Sequence, residues 1–236
     1  ASSNTAQSFY FAGSEYTNIN RTHSVVGELN STWSGTKLGA NAMNSLRVGY
    51  TRLQDGRTTD VALPAVIING LGERGTGTAT IGTNPYSGCN MLIQDVFIFG
   101  DDLTFTLGGE HDITIGTSNE IYRADNLYMA NARGTYTYNN MADFLADNAS
   151  KYQYGYFANG KKNPPVTTGQ FSLYIQDHVA WHMVGEFTFG LRADLPVMFN
   201  TPDINNGFNT SDFVAKHGTM TGDIPRVQVL LSLRVE

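Results

Sequence analysis

The sequence predicts an all-β fold, an antiparallel transmembrane β-barrel segment with short periplasmic turns and long extracellular loops. Three observations carry this expectation. Segments of alternating apolar and polar residues recur, each about ten to thirteen residues long, where a soluble strand averages about five or six and a tilted membrane strand needs about nine to eleven. Their polar rows hold Gly, Thr, Ser, Asn and scattered charges, with only five lysines in 236 residues to coat a soluble surface. Their apolar rows end in aromatics, Trp33, Tyr50, Tyr122 and Trp181, as the girdles of a membrane barrel do.

Taken in chain order, THSVVGELNSTW (22–33) sets Val25, Leu29 and Trp33 against Glu28, Asn30 and Thr32. NSLRVGYTRLQ (44–54) sets Leu46, Val48 and Tyr50 against Arg47, Gly49 and Thr51. In VFIFGDDLTFTL (96–107), Phe97, Phe99, Leu103, Phe105 and Leu107 alternate with Gly100, Asp102, Thr104 and Thr106, and DITIGTSNEIY (112–122) follows after a tight turn at 108–111. FSLYIQDHVAW (171–181) offers Phe171, Leu173, Ile175, Val179 and Trp181, and a turn at 182–185 leads into FTFGLRADLPV (187–197). There every second residue from Phe187 is apolar, while the other row reads Thr188, Gly190, Arg192, Asp194, Pro196. RVQVLLSLRVE (226–236) closes the set with Val227, Val229, Leu231, Leu233 and Val235, making seven long strands.

The connections alternate in length. Segments 108–111 and 182–185 are short and 34–42 is intermediate, whereas 56–88, 130–167 and 200–224 are long and rich in Gly, Asn, Asp and Pro, which predicts surface loops. Within the second of these, NNMADFLADN (139–148) carries an Asn cap with Met141, Phe144 and Leu145 at helical spacing, so a short helix is expected there. Seven is an odd number and the last strand is still running at Glu236, so residues 1–236 are expected to be a partial barrel domain and, beginning ASSNTAQ, a mature or excised piece. The alternative with the same alternation is a soluble β-sandwich binding or adhesin domain, whose apolar rows would face each other.

Composition narrows the function. Charged residues make up 15% and the net charge is -6, which offers no basic field for a nucleic-acid backbone. Cys89 is the single cysteine, so there is no intrachain disulfide, and in YSGCNM it reads as a small filler. GLGERG (70–75) fits a dinucleotide-binding pattern to the letter, but TGTATIGTNPYSG, which follows, opens no helix to meet a pyrophosphate, so a flexible loop is expected. His178 and His182 in HVAWH would stand about 13 Å apart on a strand, too far to share a metal. His23, His111 and His217 are expected in turns or loops. Asp101, Asp102, Glu120, Asp177, Glu186 and Asp194 read as lumen or turn acids rather than a glycosidase pair. The N-x-[ST] triplets at Asn20, Asn30, Asn148 and Asn209 read as chance matches. No catalytic, metal or cofactor-binding residue is expected, no cofactor is called for, and the ligand-binding residues stay unknown.

SLRVGYTR (45–52), LTFTLGGEHDITIGTSNEIYRADNLY (103–128), GTYTYNNMADFLADN (134–148), LYIQDHV (173–179) and FTFGLRADLPV together resemble the barrel of TonB-dependent outer-membrane receptors, most closely the Oar-type branch with its carboxypeptidase-regulatory-like domain. The resemblance covers most of the chain in order, with 56–88 and 200–224 diverging. It implies a barrel of about 22 strands around a plug, taking up a bulky solute in the outer membrane of a Gram-negative bacterium. The implied partners are outer-membrane lipid, the remaining strands and plug of the same receptor, the TonB complex, and a surface lipoprotein or other outer-membrane subunits. This chain carries no TonB box and no plug, so none of the family's energy-coupling residues has a position here. The expected lumen row includes Thr104, Thr106, Glu120, Arg192 and Asp194, and the loops lean acidic through Asp55, Asp60, Glu73, Asp203 and Asp212. An alternative to transport is that the barrel serves as a structural subunit of a secretion or adhesion assembly.

Overall fold

The computed structural model describes residues 8–11, 13–36, 39–157, 165–181, 185–200, 204–218 and 226–235. Two compact units divide the chain: Ala1–Thr22, Leu53–Ile93 and Asp125–Pro165 form one, and His23–Arg52, Gln94–Ala124 and Val166–Glu236 the other.

The seven expected strands are all present and form one sheet. They are β2 (Thr17–Thr36), β3 (Gly39–Thr58), β6 (Asn90–Leu107), β7 (His111–Tyr128), β10 (Val166–Trp181), β11 (Gly185–Met198) and β12 (Leu230–Val235), in the order β12-β11-β10-β7-β6-β3-β2. Each strand lies beside its neighbours in this series, so the sheet is a meander. It is open, with β2 and β12 at its edges. Strands β2 and β3 reach 20 residues and β6 and β7 reach 18, longer than the alternation alone delimits, while regular pairing of the last strand begins only at Leu230, after an isolated bridge between Val197 and Val227. The intermediate connection at 34–42 is thereby shortened: β2 runs to Thr36 and β3 begins at Gly39. Of the 182–185 turn, 182–184 lie outside the described residues, as does His182.

Register settles which residues share a face. Ile115 pairs with Ile175, Ile175 with Leu191, and Leu191 with Leu233, one apolar row across four strands. That row is the exposed one, with Leu173 at 69% and Leu233 at 78% of full exposure. A soluble sandwich would bury these side chains against one another; here Phe189, Leu191 and Ile175 all stand open. Tyr122 is a correction: it pairs with Thr168 and its hydroxyl accepts a hydrogen bond from Gln94, so it lies in the polar row, while its neighbour Ile121 keeps the apolar phase.

The long segments do not remain loops. β1 (Ser8–Tyr10), β4 (Ala65–Leu71), β5 (Gly77–Ile81), β8 (Thr135–Tyr138) and β9 (Lys151–Gln153) form a second sheet in the order β1-β5-β4-β8-β9, parallel at β1/β5 and β4/β8. Its ladders satisfy the backbone groups that a buried loop would strand. A small core follows, with Ala65, Ile68 and Thr135 each at 1% exposure. The expected helix is α1 (Met141–Leu145), where Asn140 accepts a hydrogen bond from the Asp143 amide at 2.8 Å and Phe144 packs edge-on against Tyr138. Burial, then the Asp147 carboxylate that accepts its hydroxyl, push the Tyr138 phenol up, so it stays a donor at neutral pH. The third long segment holds α2 (Asn206–Asn209) and α3 (Asp212–His217), which its loop-like composition does not announce. His217 therefore ends a helix, and His23 lies within β2 rather than in a turn. Among the acids expected in loops, Asp55 is in β3 and Asp212 starts α3, while Asp203 lies outside the described residues.

Truncating the core of the five-stranded sheet tests its independence. Ile68→Ala should cost about 2 to 5 kcal/mol in thermal or denaturant unfolding. Leu145→Ala, on the exposed side of α1, should stay within about 0.5 kcal/mol.

Candidate functional site

A sheet in which every second residue points the same way builds a site from residues two apart on one strand and opposite one another across strands. On β10, Ser172 and Tyr174 fall in the polar row; register places Ser172 opposite Asp194 and Tyr174 opposite Arg192 on β11, and opposite Ser118 and Gly116 on β7. These residues converge. The Arg192 Nε donates to both Asp194 oxygens at 2.9 and 3.0 Å, its Nη2 donates to Ser172 Oγ at 2.9 Å, and Ser172 donates in turn to Asp194 Oδ1 at 2.6 Å. Ser172 is only 2% exposed, so the network is covered on its β10 side.

Glycine makes the next link possible. Tyr174 reaches across β7 and its hydroxyl donates to Asp102 of β6, passing over Gly116. A Cβ at position 116 would overlap Asp102 Oδ1 and fall 2.6 Å from the Tyr174 ring. The Arg192 guanidinium stands 5.6 Å from the centre of the same ring, within cation–π range. Four positions on two strands, β10 and β11, are thus tied to a fifth on β6 by charge-assisted bonds and one cation–π contact.

Two further groups share the polar row. Toward the β6–β7 turn, Thr104 and Thr114 hydroxyls meet at 3.0 Å and Thr106 donates to Asp112 at 2.7 Å. At the other end a depression of about 400 Å³ is lined by Glu120, Tyr122, Gln170, Met198, Arg226 and Gln228, among others. Of the five expected lumen residues, then, only Arg192 and Asp194 touch. Thr104 and Thr106 belong to the hydroxyl ladder, and Glu120 to the depression. Ser172, Tyr174 and Gly116 were not singled out from the sequence; the usable signal was a glycine in the polar row of one strand beside an aromatic in the polar row of the next.

The tempting motifs acquire plain roles. Gly70, Gly72 and Gly75 all have positive φ and turn β4 into β5, so GLGERG is a hairpin rather than a flexible loop, and a strand follows it. His111 opens β7 and meets Asp177 at 2.8 Å; His178 meets Thr188 at 3.2 Å. Asp101 accepts from Asn44 at 2.7 Å. Cys89 is half-buried and its carbonyl accepts from the Met129 amide. No group of three His, Cys, Asp or Glu side chains able to hold a metal occurs among the described residues.

A wide meander with an exposed apolar face and a hydrogen-bonded polar face is the pattern of a membrane barrel wall. The family model described as "Outer membrane beta barrel domain" matches residues 1–229. The chain belongs to this family. Comparison with curated proteins and with solved structures gives no match. As an outer membrane β-barrel domain, the chain resides in the cell outer membrane.

Gly116→Ala should break the Tyr174–Asp102 link and cost about 1 to 3 kcal/mol, the range for forced overpacking. Gly100→Ala, whose added carbon meets only the Thr117 carbonyl at 3.5 Å, should be nearly silent. Heat-induced unfolding of the two variants in detergent, followed by gel mobility, compares them directly.

Proposed function

We propose that this barrel domain is part of the wall of a TonB-dependent transporter, with its polar row lining the interior and its long segments capturing a bulky solute outside. The observation that carries the reading is the split between the two faces of one meander: apolar side chains exposed on one, and an Arg192–Asp194–Ser172–Tyr174–Asp102 network on the other. A charged, hydrogen-bonded row suits contact with a plug or a hydrated solute. It would be costly against hydrocarbon.

The open edges support the wider barrel. In lipid, unpaired backbone groups along β2 and β12 would each cost several kcal/mol, so further strands of the same receptor complete the wall, in a barrel of about 22 strands with room for a plug. The five-stranded sheet supports capture, since it presents an ordered surface instead of slack loops. The chemistry is binding and energised passage, with no covalent step. A structural subunit of a secretion or adhesion assembly would use the same wall without energised uptake.

Charge insertion tests the orientation. Leu173→Arg should cost about 2 to 4 kcal/mol in bilayer-supported folding, while Gln176→Arg, in the polar row, should be milder; equal costs would overturn the assignment of faces. Energy dependence tests the transport reading. Cells producing the intact protein should lose solute accumulation, but keep surface binding, when TonB is deleted, and accumulation that persists would exclude energised import.

A further inference from the structure

The apolar face carries charge at more than one level: Asp177, opposite Ile113 and Phe189, meets His111 near the short turns, Asp101 lies between Phe99 and Leu103, and a further group stands toward the other end of the strands. On β7 this row reads His111, Ile113, Ile115, Thr117, Asn119 and Ile121, and the next residue in it is Arg123. On β6 the row that includes Phe97 and Phe99 continues to Asp95, and on β3 the row of Val48 continues to Tyr50 and Arg52. Three strands therefore deliver Arg52, Asp95 and Arg123 to one spot. The contacts agree: Arg52 Nη1 lies 3.4 Å from Asp95 Oδ1, Arg123 Nη1 lies 3.9 Å from Asp95 Oδ2, and the Tyr50 hydroxyl donates to Asp95 Oδ1 at 2.6 Å.

Charge does not balance there. One carboxylate, already accepting from Tyr50, stands between two guanidiniums, each about half exposed, at 47% and 52%. Asp95 itself is 19% exposed, so the cations flank it and reach outward. At 3.9 Å the second pair is beyond hydrogen-bond length, and neither fork is used in a bidentate contact with the carboxylate. Level matters as much as charge. From His111 to Ile121 the row, with isoleucines at 113, 115 and 121 and polar residues at 111, 117 and 119, covers about 33 Å of strand, or about 24 Å of height at a membrane tilt, close to the ~25 Å height of the lipid-facing band of an outer-membrane barrel. Arg123 is one step beyond that band, beside Tyr50, an aromatic of the kind that marks the headgroup level.

We infer that Arg52 and Arg123, held apart by Asp95, form a seat for the phosphate of a lipid headgroup in the leaflet at the end of the strands away from the short turns. Guanidiniums suit this because their planar forks match phosphate oxygens with two parallel bonds. The acyl chains of the same lipid lie along Val48, Phe97 and Ile121. The inference rests on the lipid-facing orientation of the apolar row, and concerns a place on the outer surface, separate from the polar row.

The test uses the full chain reconstituted in phosphatidylcholine nanodiscs, with diphosphoryl lipid A as probe and its dephosphorylated form as comparison, the retained lipid being counted by native mass spectrometry. The wild type should retain the phosphorylated form preferentially. Arg52→Gln with Arg123→Gln should weaken that preference by about tenfold. Arg47→Gln, on the opposite face and paired with Glu28 at 3.0 Å, should leave it unchanged. Asp95→Asn should strengthen it, a gain that misfolding would not give. Equal retention of the two lipids by a chain that enters nanodiscs, or competition by millimolar inorganic phosphate alone, would overturn the headgroup seat and leave the wall reading standing. A chain that enters no bilayer would overturn both.

Discussion

Hydrocarbon offers the peptide group no hydrogen-bond partner, and the rest of this structure follows from that. Each amide and carbonyl of a wall strand must find its partner on a neighbouring strand. The least demanding solution for consecutive strands is a meander with long registers and tight turns, which is the order found from β2 to β12. Side-chain alternation then follows from the pleat. One row must be compatible with lipid, and the other is free to carry polar chemistry.

What the polar row does with that freedom depends on small residues. Arg192, Asp194 and Ser172 could meet on almost any pair of strands with this register. The longer reach from Tyr174 to Asp102 requires that nothing stand on β7 between them, and Gly116 provides the gap. Glycine weakens a strand in isolation. Here a ring from the adjacent strand covers the bare backbone and recovers packing that the missing side chain forgoes, while its hydroxyl ties β10 to β6 across the intervening strand.

The wall was legible in the sequence because its signal is local and repeated. In FTFGLRADLPV the period of two persists for eleven residues, and six other segments carry it long enough to be read without knowing their partners. The five-stranded sheet was not legible. Its strands are three to seven residues long, it joins Ser8–Tyr10 to Gly77–Ile81 in parallel, and no short-range pattern announces such pairing. Asn140 gave away α1 because a cap is a local feature, whereas α3 lacks a side-chain cap bond at Ser211 and stayed hidden. Tyr122 was misplaced because Ile121 and Tyr122 are both bulky, and only the register with Gly169 and Thr168 says which belongs to which row. In the site, Arg192 and Asp194 were readable as neighbours two apart, but Tyr174 and Asp102 are separated by 72 positions, and only the stacked registers bring them together.

The topology of the smaller sheet also orders events in time. Its central strand β4 has β5 on one side and β8 on the other, and between β5 and β8 the chain must first travel the whole of β6 and β7. During synthesis or insertion, β4 and β5 can exist as a hairpin, but the ladder to β8 and β9 has no material until about half the chain has passed. The ladder from β4 to β8 is therefore a long-range pairing that closes over the whole β6–β7 hairpin, the kind of contact whose loop-closure entropy makes it form after local hairpins.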